Sequence, residues 1–206
     1  MKLIHLLLFF VPCFSFAQPL QEFNADREDI NEKLMIGLGS WATANFIASG
    51  IGWAATAPDS EARYFHQMNV MWNTVNIGLA IPGFVKAKKA NSVLTFSETV
   101  RKEHQTEKIF LINTGIDVGY MASGLILRSE AKSNVEKRAQ FNGYGNSLLM
   151  QGGFLFLFDL TSYAIHNRHS KKSLDNLLNS IELSNNGIGL KWLLEPKLFS
   201  RNQLLL

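Results

Sequence analysis

Cysteine is almost absent from this chain. The only one is Cys13, and it lies inside an apolar N-terminal run that reads as a cleavable export signal. The mature chain then carries no thiol, which excludes disulfides, thiolate metal centres and a cysteine nucleophile in any redox compartment. Charge is also scarce: Asp, Glu, Lys and Arg make up 18% of the residues, and the formal net charge is only +3. The basic residues fall in connecting segments, not along one face, so there is no electrostatic footprint for nucleic acid. Catalytic signatures are missing as well. There is no His-Glu-x-x-His, no Gly-x-Ser-x-Gly and no phosphate-binding Gly-rich loop ending in Lys-Ser/Thr. No catalytic residue, metal site or cofactor is expected, and the reading leans towards a protein that is not an enzyme.

What is present begins with that N-terminal run. Lys2 supplies a positive start, and Leu3 to Phe16 is apolar, short for a span and interrupted by Pro12. Ser15-Phe16-Ala17 places small residues where a signal peptidase reads them, so cleavage is expected between Ala17 and Gln18. Phe10-Val11-Pro12 before Cys13 is not the small-residue context of a lipoprotein. Residues 1–17 are thus read as a signal peptide and 18–206 as one domain. The destination is a bacterial cell envelope, the inner membrane ahead of the outer.

Four stretches are nearly free of charge: Leu34–Ala57, Tyr64–Val85, Ile109–Leu127 and Phe141–Ile165. Each has the length of a membrane-spanning helix, since about 20 residues cross a bilayer core. Pro58 ends the first, and Pro82-Gly83 weakens the end of the second. Residues 18–33 are acidic and read as helix leading into the first stretch. Ser97 followed by Glu98 looks like a helix start, which extends the third helix well before its apolar part. The expected helices are 34–57, 64–85, 97–128 and 141–166, with a tail over 167–206. In that tail Leu174, Leu177, Leu178 and Ile181 recur at helical spacing and suggest an amphipathic helix. Gly187–Leu194 reads as a short strand. The fold expected is all-α: an antiparallel four-helix bundle, transmembrane, with an amphipathic C-terminal helix.

Small residues recur at four-residue intervals, as Ala44, Ala48 and Gly52 in the first helix and Gly115, Gly119 and Ser123 in the third. In lipid such ridges let helices approach closely. Two features oppose insertion. The mean hydropathy is only +0.02. With the mature N-terminus outside, the external segments hold 14 Lys/Arg against 5 inside, contrary to the positive-inside rule. An exported, water-soluble bundle is therefore the alternative.

The apolar stretches also carry polar seams. His66, Asn69, Asn73 and Asn76 are spaced 3, 4 and 3 and share a face; so do Asn113, Asp117, Tyr120 and Gly124. Gln151, Asp159, Ser162 and His166 lie on roughly one face of the fourth helix, and the first contributes Asn45. Buried amides and carboxylates need hydrogen bonds, so the seams should face one another. With helices alternating in direction, Asn45, Asn76, Asp117 and Asp159 come within about 10–17 Å of one end of the bundle, which predicts a shared network holding two carboxylates. The seams either lock helix register or line an ion, proton or small-ligand path. His66 and His166 fall at opposite ends, against a shared metal. His166 and His169 read as a wet helix-end pair, able to join Asp159 on a metal only if the helix continued. His104 reads as a solvated helix-face residue, and Gly143-Tyr144-Gly145 as a packing pair at a helix start.

The runs Phe65-His66-Gln67-Met68-Asn69-x-x-Trp72-Asn73-x-x-Asn76, Asn113-x-x-x-Asp117-x-x-Tyr120, Gly143-x-Gly145, Gln151-Gly152 and Asp159 resemble an uncharacterised family of small bacterial membrane proteins. The likeness spans most of the mature chain. It implies a four-helix membrane protein and supplies no activity. The leading expectation is a structural or accessory envelope protein in contact with the lipid bilayer, with a homo-oligomer or an unknown envelope partner open. A small transporter or channel-like protein using Asp117 and Asp159 is the second reading, and a membrane enzyme with an unfamiliar site is the third.

Overall fold

The computed structural model describes the backbone of residues 2–179, 181–184 and 187–190 and the side chains of residues 20–172. Four helices follow one another: α1 (Lys2–Ala55), α2 (Glu61–Lys88), α3 (Phe96–Ser133) and α4 (Arg138–Asn179). A register of four residue pairs then joins β1 (Ile181–Ser184) to β2 (Gly187–Leu190) in antiparallel. The fold is all-α, as the charge-free stretches imply.

The boundaries differ from the sequence expectation for local reasons. Residues 18–33 do form helix, and they are continuous with the first apolar stretch inside α1. α2 runs through Pro82 to Lys88; proline is tolerated within a helix whose surroundings re-satisfy the freed carbonyl. α3 starts at Phe96, one residue earlier than Ser97 suggested. Thr95 is its N-cap, accepting from the Glu98 amide, while the Glu98 carboxylate accepts from the Thr95 amide, a reciprocal capping box. α4 does not stop at 166, so Leu174–Asn179 is its continuation and not a separate amphipathic helix, and Ile181 opens β1. The strand expected at Gly187–Leu194 is described as far as Leu190; the rest lies outside the described residues.

The turn between α1 and α2 is tied by side chains. Arg63 donates through Nη1 to the carbonyls of Trp53 and Thr56 at 2.9 and 3.2 Å, satisfying carbonyls that end α1. Ser60 caps α2 by accepting from the Arg63 amide. Tyr64 donates its hydroxyl to Asp59, and that bond, with burial adding to it, holds the phenol above its ordinary pKa.

α1 packs along α2 and α3 along α4, and the two hairpins join mainly through α2 and α4. Bends at 56–60 and 134–137 lie at one end of the bundle. The N-terminal part of α1, the α2–α3 connection and the C-terminal part of α4 lie at the other. Close approach depends on glycine at three places on α4. A Cβ at Gly143 would fall 2.5 Å from the Glu61 carbonyl oxygen, one at Gly145 2.7 Å from the Gly124 carbonyl oxygen, and one at Gly152 3.3 Å from that of Asp117. The ridges singled out in the sequence play a different part. Gly115 and Gly119 have nothing within 4 Å of a built Cβ, and Ala44, Ala48 and Ser123 are exposed. They face outward; of the six, only Gly52 sits against a neighbour, the His66 ring.

The distribution of polarity is inverted relative to a water-soluble bundle. Among the described residues 17 buried side chains are polar or charged and nine are apolar, while 22 large apolar side chains are exposed. The exposed ones form a belt, from Ile36 to Ile51 on α1, Met71 to Val85 on α2, Ile109 to Ile126 on α3 and Leu157 to Ile165 on α4. A monomer in water rarely exposes so much contiguous apolar surface. Three helices are long and apolar enough to cross a membrane, over Leu20–Ala55, Phe96–Ser133 and Arg138–Lys172. α2, rich in asparagine, is not among them.

Candidate functional site

The buried face of α4 reads Ser147, Gln151, Leu155, Asp159, Ser162 and His166, at steps of four, four, four, three and four. Apart from half-buried neighbours, every member is under 10% exposed. This face meets polar residues from the other three helices in three separate knots.

The first knot is built on amides. Asn69 accepts through Oδ1 from the Ser147 hydroxyl at 2.7 Å and from the Gln151 amide at 3.0 Å. Gln151 accepts in turn from the Trp41 indole at 3.2 Å. Asn73 donates to the Asn69 carbonyl, and Asn76 donates to Asn73. Asn69, Asn73 and Asn76 are all buried. The structure therefore brings together three of the four α2 seam residues with Gln151. His66 lies apart, half-buried, edge-on to Phe65 and against Gly52. Asn45 donates to the Trp41 carbonyl of its own helix. Among the described residues it makes no bond to the seam, so the expectation that it converges with the carboxylates is corrected. An amide that can satisfy its own turn has no need of a partner helix.

The second knot is a carboxylate pair. Asp117 and Asp159 are 2% and 6% exposed and face one another closely enough to interact, with Asn113 beside Asp159. Two neighbouring carboxyl groups in an apolar interior do not both ionise easily. Tyr120 sits one turn away with its ring edge-on to Trp72 at 4.6 Å. An apolar layer of Leu38, Ala80 and Leu155, with Met35, Trp72, Phe154 and Phe158 around it, separates this pair from the amide knot. The single shared network expected from helix depth is thus two networks, because Leu155 occupies the turn between Gln151 and Asp159.

The third knot was missed by sequence reading. Glu103 is fully buried, with its Oε1 3.5 Å from His166 Nδ1 and 3.7 Å from His169 Nδ1. His169 stacks on Phe23 and His166 on Phe110. Arg27 is 1% exposed and holds Glu28, and Asn24 donates to Thr99 at 2.8 Å. The histidines are therefore a buried pair, not a wet one. α4 does continue through them, but their carboxylate is Glu103 of α3; Asp159 lies two turns away, beside Asp117. In the sequence, 97–108 reads as the polar start of the third helix, with no buried residue assigned to it. The signal was there in the spacing of Thr99, Glu103, Glu107, Phe110, Thr114 and Asp117, which continues the Asp117 face backwards at helical intervals. His104 is exposed beside Glu107, as a helix-face residue. Among the described residues no group of three His, Cys, Asp or Glu is set to hold a metal ion.

The four helices form a bundle that is polar inside and apolar outside, three of them long and apolar enough to cross a bilayer, with ionisable groups in its interior. The chain belongs to DUF6992, a family of unknown function, whose model matches residues 37–160. That segment contains the amide knot and the carboxylate pair and stops short of His166. No curated protein and no solved structure matches.

Proposed function

We propose that this is an exported integral membrane protein of the cell envelope, a small transporter or channel-like protein in which Asp117 and Asp159 take up and pass on a proton. The observation that carries the reading is a paired carboxyl group inside a bundle whose outer surface is apolar. Charged or protonatable groups at such depth are costly and usually mark a path for ions or protons. Glu103, His166 and His169 extend the ionisable groups along the same face of α4 towards the polar end, with Ser162 between His166 and Asp159. The N-terminal 17 residues are read as the export signal, leaving Gln18 first.

The test is proton flux into liposomes containing the purified protein and an internal pH-sensitive dye. Flux is expected to fall at least about ten-fold in the Asp117→Asn/Asp159→Asn double variant, since a shared proton site is removed while the contact is kept. Equal flux in both proteins would sink the transport reading. Carbonate extraction of fractionated envelopes, with mass spectrometry of the N-terminus, tests insertion and the Gln18 start. A structural or accessory role is the second reading, and the amide knot favours it, since interhelical Asn and Gln bonds serve to fix helix pairing.

A further inference from the structure

A second polar feature lies at the opposite end of the bundle from Glu103, on the outer side of the bend between α3 and α4. A cavity of about 570 Å³ opens there, lined by Leu125, Arg128, Ser129, Lys132, Arg138 and Asn142, with Ala131 at its base. Three of these are cations. Among the described residues none of the three forms an ion pair, although Glu130 and Glu136 are close in sequence. Arg138 is steadied by donating from Nε to the Ala131 carbonyl at 3.3 Å, which leaves the terminal nitrogens of its guanidinium for another acceptor. Arg128 is positioned from the far side: a Cβ at Gly145 would lie 2.7 Å from its Cγ, so the glycine gives the Arg128 stem its place against α4.

The cavity does not stand alone on the surface. Leu125, Ser129 and Lys132 continue a single face of α3 that runs from Leu111 through Gly115, Val118 and Ala122 at steps of four and three. Leu111, Val118 and Leu125 are 50%, 49% and 58% exposed, and Gly115 and Ala122 between them are exposed small residues. The result is an apolar track about 21 Å long, at 1.5 Å rise per residue, with bulky ridges spaced by small gaps. It leads directly into the cationic cavity, where the apolar belt ends. Basic pockets beside membrane helices recognise acidic lipid headgroups, and an acyl chain needs an apolar track of this kind beneath the headgroup.

We propose that this cavity is a binding site for the phosphate headgroup of an anionic phospholipid, with one acyl chain lying along the Leu111–Leu125 face of α3. The guanidinium groups of Arg128 and Arg138 present paired N–H donors to phosphate oxygens, Lys132 adds a point charge, and Ser129 and Asn142 supply neutral donors. The site is independent of the carboxylate pair and of the proton-transfer reading.

Native mass spectrometry of the purified full chain, titrated with phosphatidylglycerol or phosphatidylcholine, tests it. Phosphatidylglycerol should be retained about ten-fold or more over phosphatidylcholine, given the attraction of each basic residue for an anionic lipid. In the Arg128→Gln/Lys132→Gln/Arg138→Gln variant that preference should fall to within about two-fold, with helical content unchanged. A Lys86→Gln/Lys88→Gln variant, altered at the other end of the bundle, should keep it. A folded triple variant with the wild-type preference would overturn the site. Displacement of the lipid by millimolar inorganic phosphate would overturn the lipid as its occupant, because a free anion would then suffice without the acyl track.

Discussion

The amide knot around Asn69 and the ionisable groups of the other half of the bundle occupy the same buried face of α4, yet they are built differently. Ser147, Gln151 and Asn69 meet through direct bonds of 2.7 to 3.0 Å, and none of them can gain or lose a proton near neutral pH. Asp117, Asp159, Glu103, His166 and His169 carry ionisable side chains. One end of the seam is neutral and tied across helices; the other is built of ionisable groups. Neutral amides are the cheaper way to fix helix pairing in an apolar medium, whereas an ionisable group there is expensive. Its presence is better explained by chemistry than by architecture.

Several substitutions would break or sharpen this contrast. The largest effect is expected at Gly143, which seats α4 on α2 so that Ser147 and Gln151, one and two turns later, reach Asn69. Gly143→Leu forces a side chain into the Glu61 carbonyl and should destabilise the bundle by about 3 kcal/mol or more, read from denaturant unfolding in micelles. Asn69→Leu leaves the Ser147 and Gln151 donors without their acceptor and should cost about 2 kcal/mol at every pH between 5 and 8. A pH-dependent loss there would blur the contrast.

Glu103→Gln should also be costly. It weakens the contact of a buried carboxylate with His166 and His169, 3.5 and 3.7 Å away, and should cost about 1 kcal/mol, read from the same unfolding curves; unchanged stability would refute the assignment. The smallest change is expected at Gly119→Ala, within about 0.5 kcal/mol, because its Cβ meets nothing. A large loss there would mean that the outward ridge of α3 is covered.

Much of the bundle could be read from the chain. The four charge-free stretches located the helices, and the spacing of Asn69, Asn73 and Asn76, and of Asp117, identified buried faces. The misreadings have definite causes. Leu174–Asn179 looked like a separate helix because charge at Arg168, Lys171 and Lys172 resembled a boundary, yet a helix leaving an apolar layer can carry charge without breaking. The Gly115–Gly119–Ser123 ridge looked like an interface because small residues permit close packing, but permission alone does not decide which face is turned inward. Glu103 went unnoticed because an acid among lysines, arginines and other glutamates resembles a solvated face until its partners on α4 are known.

By itself the sequence determined the helical class and the patterning of polar and apolar residues, since these depend on local composition and on the fixed 3.6-residue period. Only the tertiary structure decided which polar residues meet. It paired Asp117 with Asp159, set Glu103 against His166 and His169, left Asn45 to its own helix and divided one expected network into two. Rotation and offset of one helix against another set those pairings, and they are fixed by glycine contacts such as Gly143 on Glu61 and by the apolar layer at Leu155, neither of which is a property of any single helix.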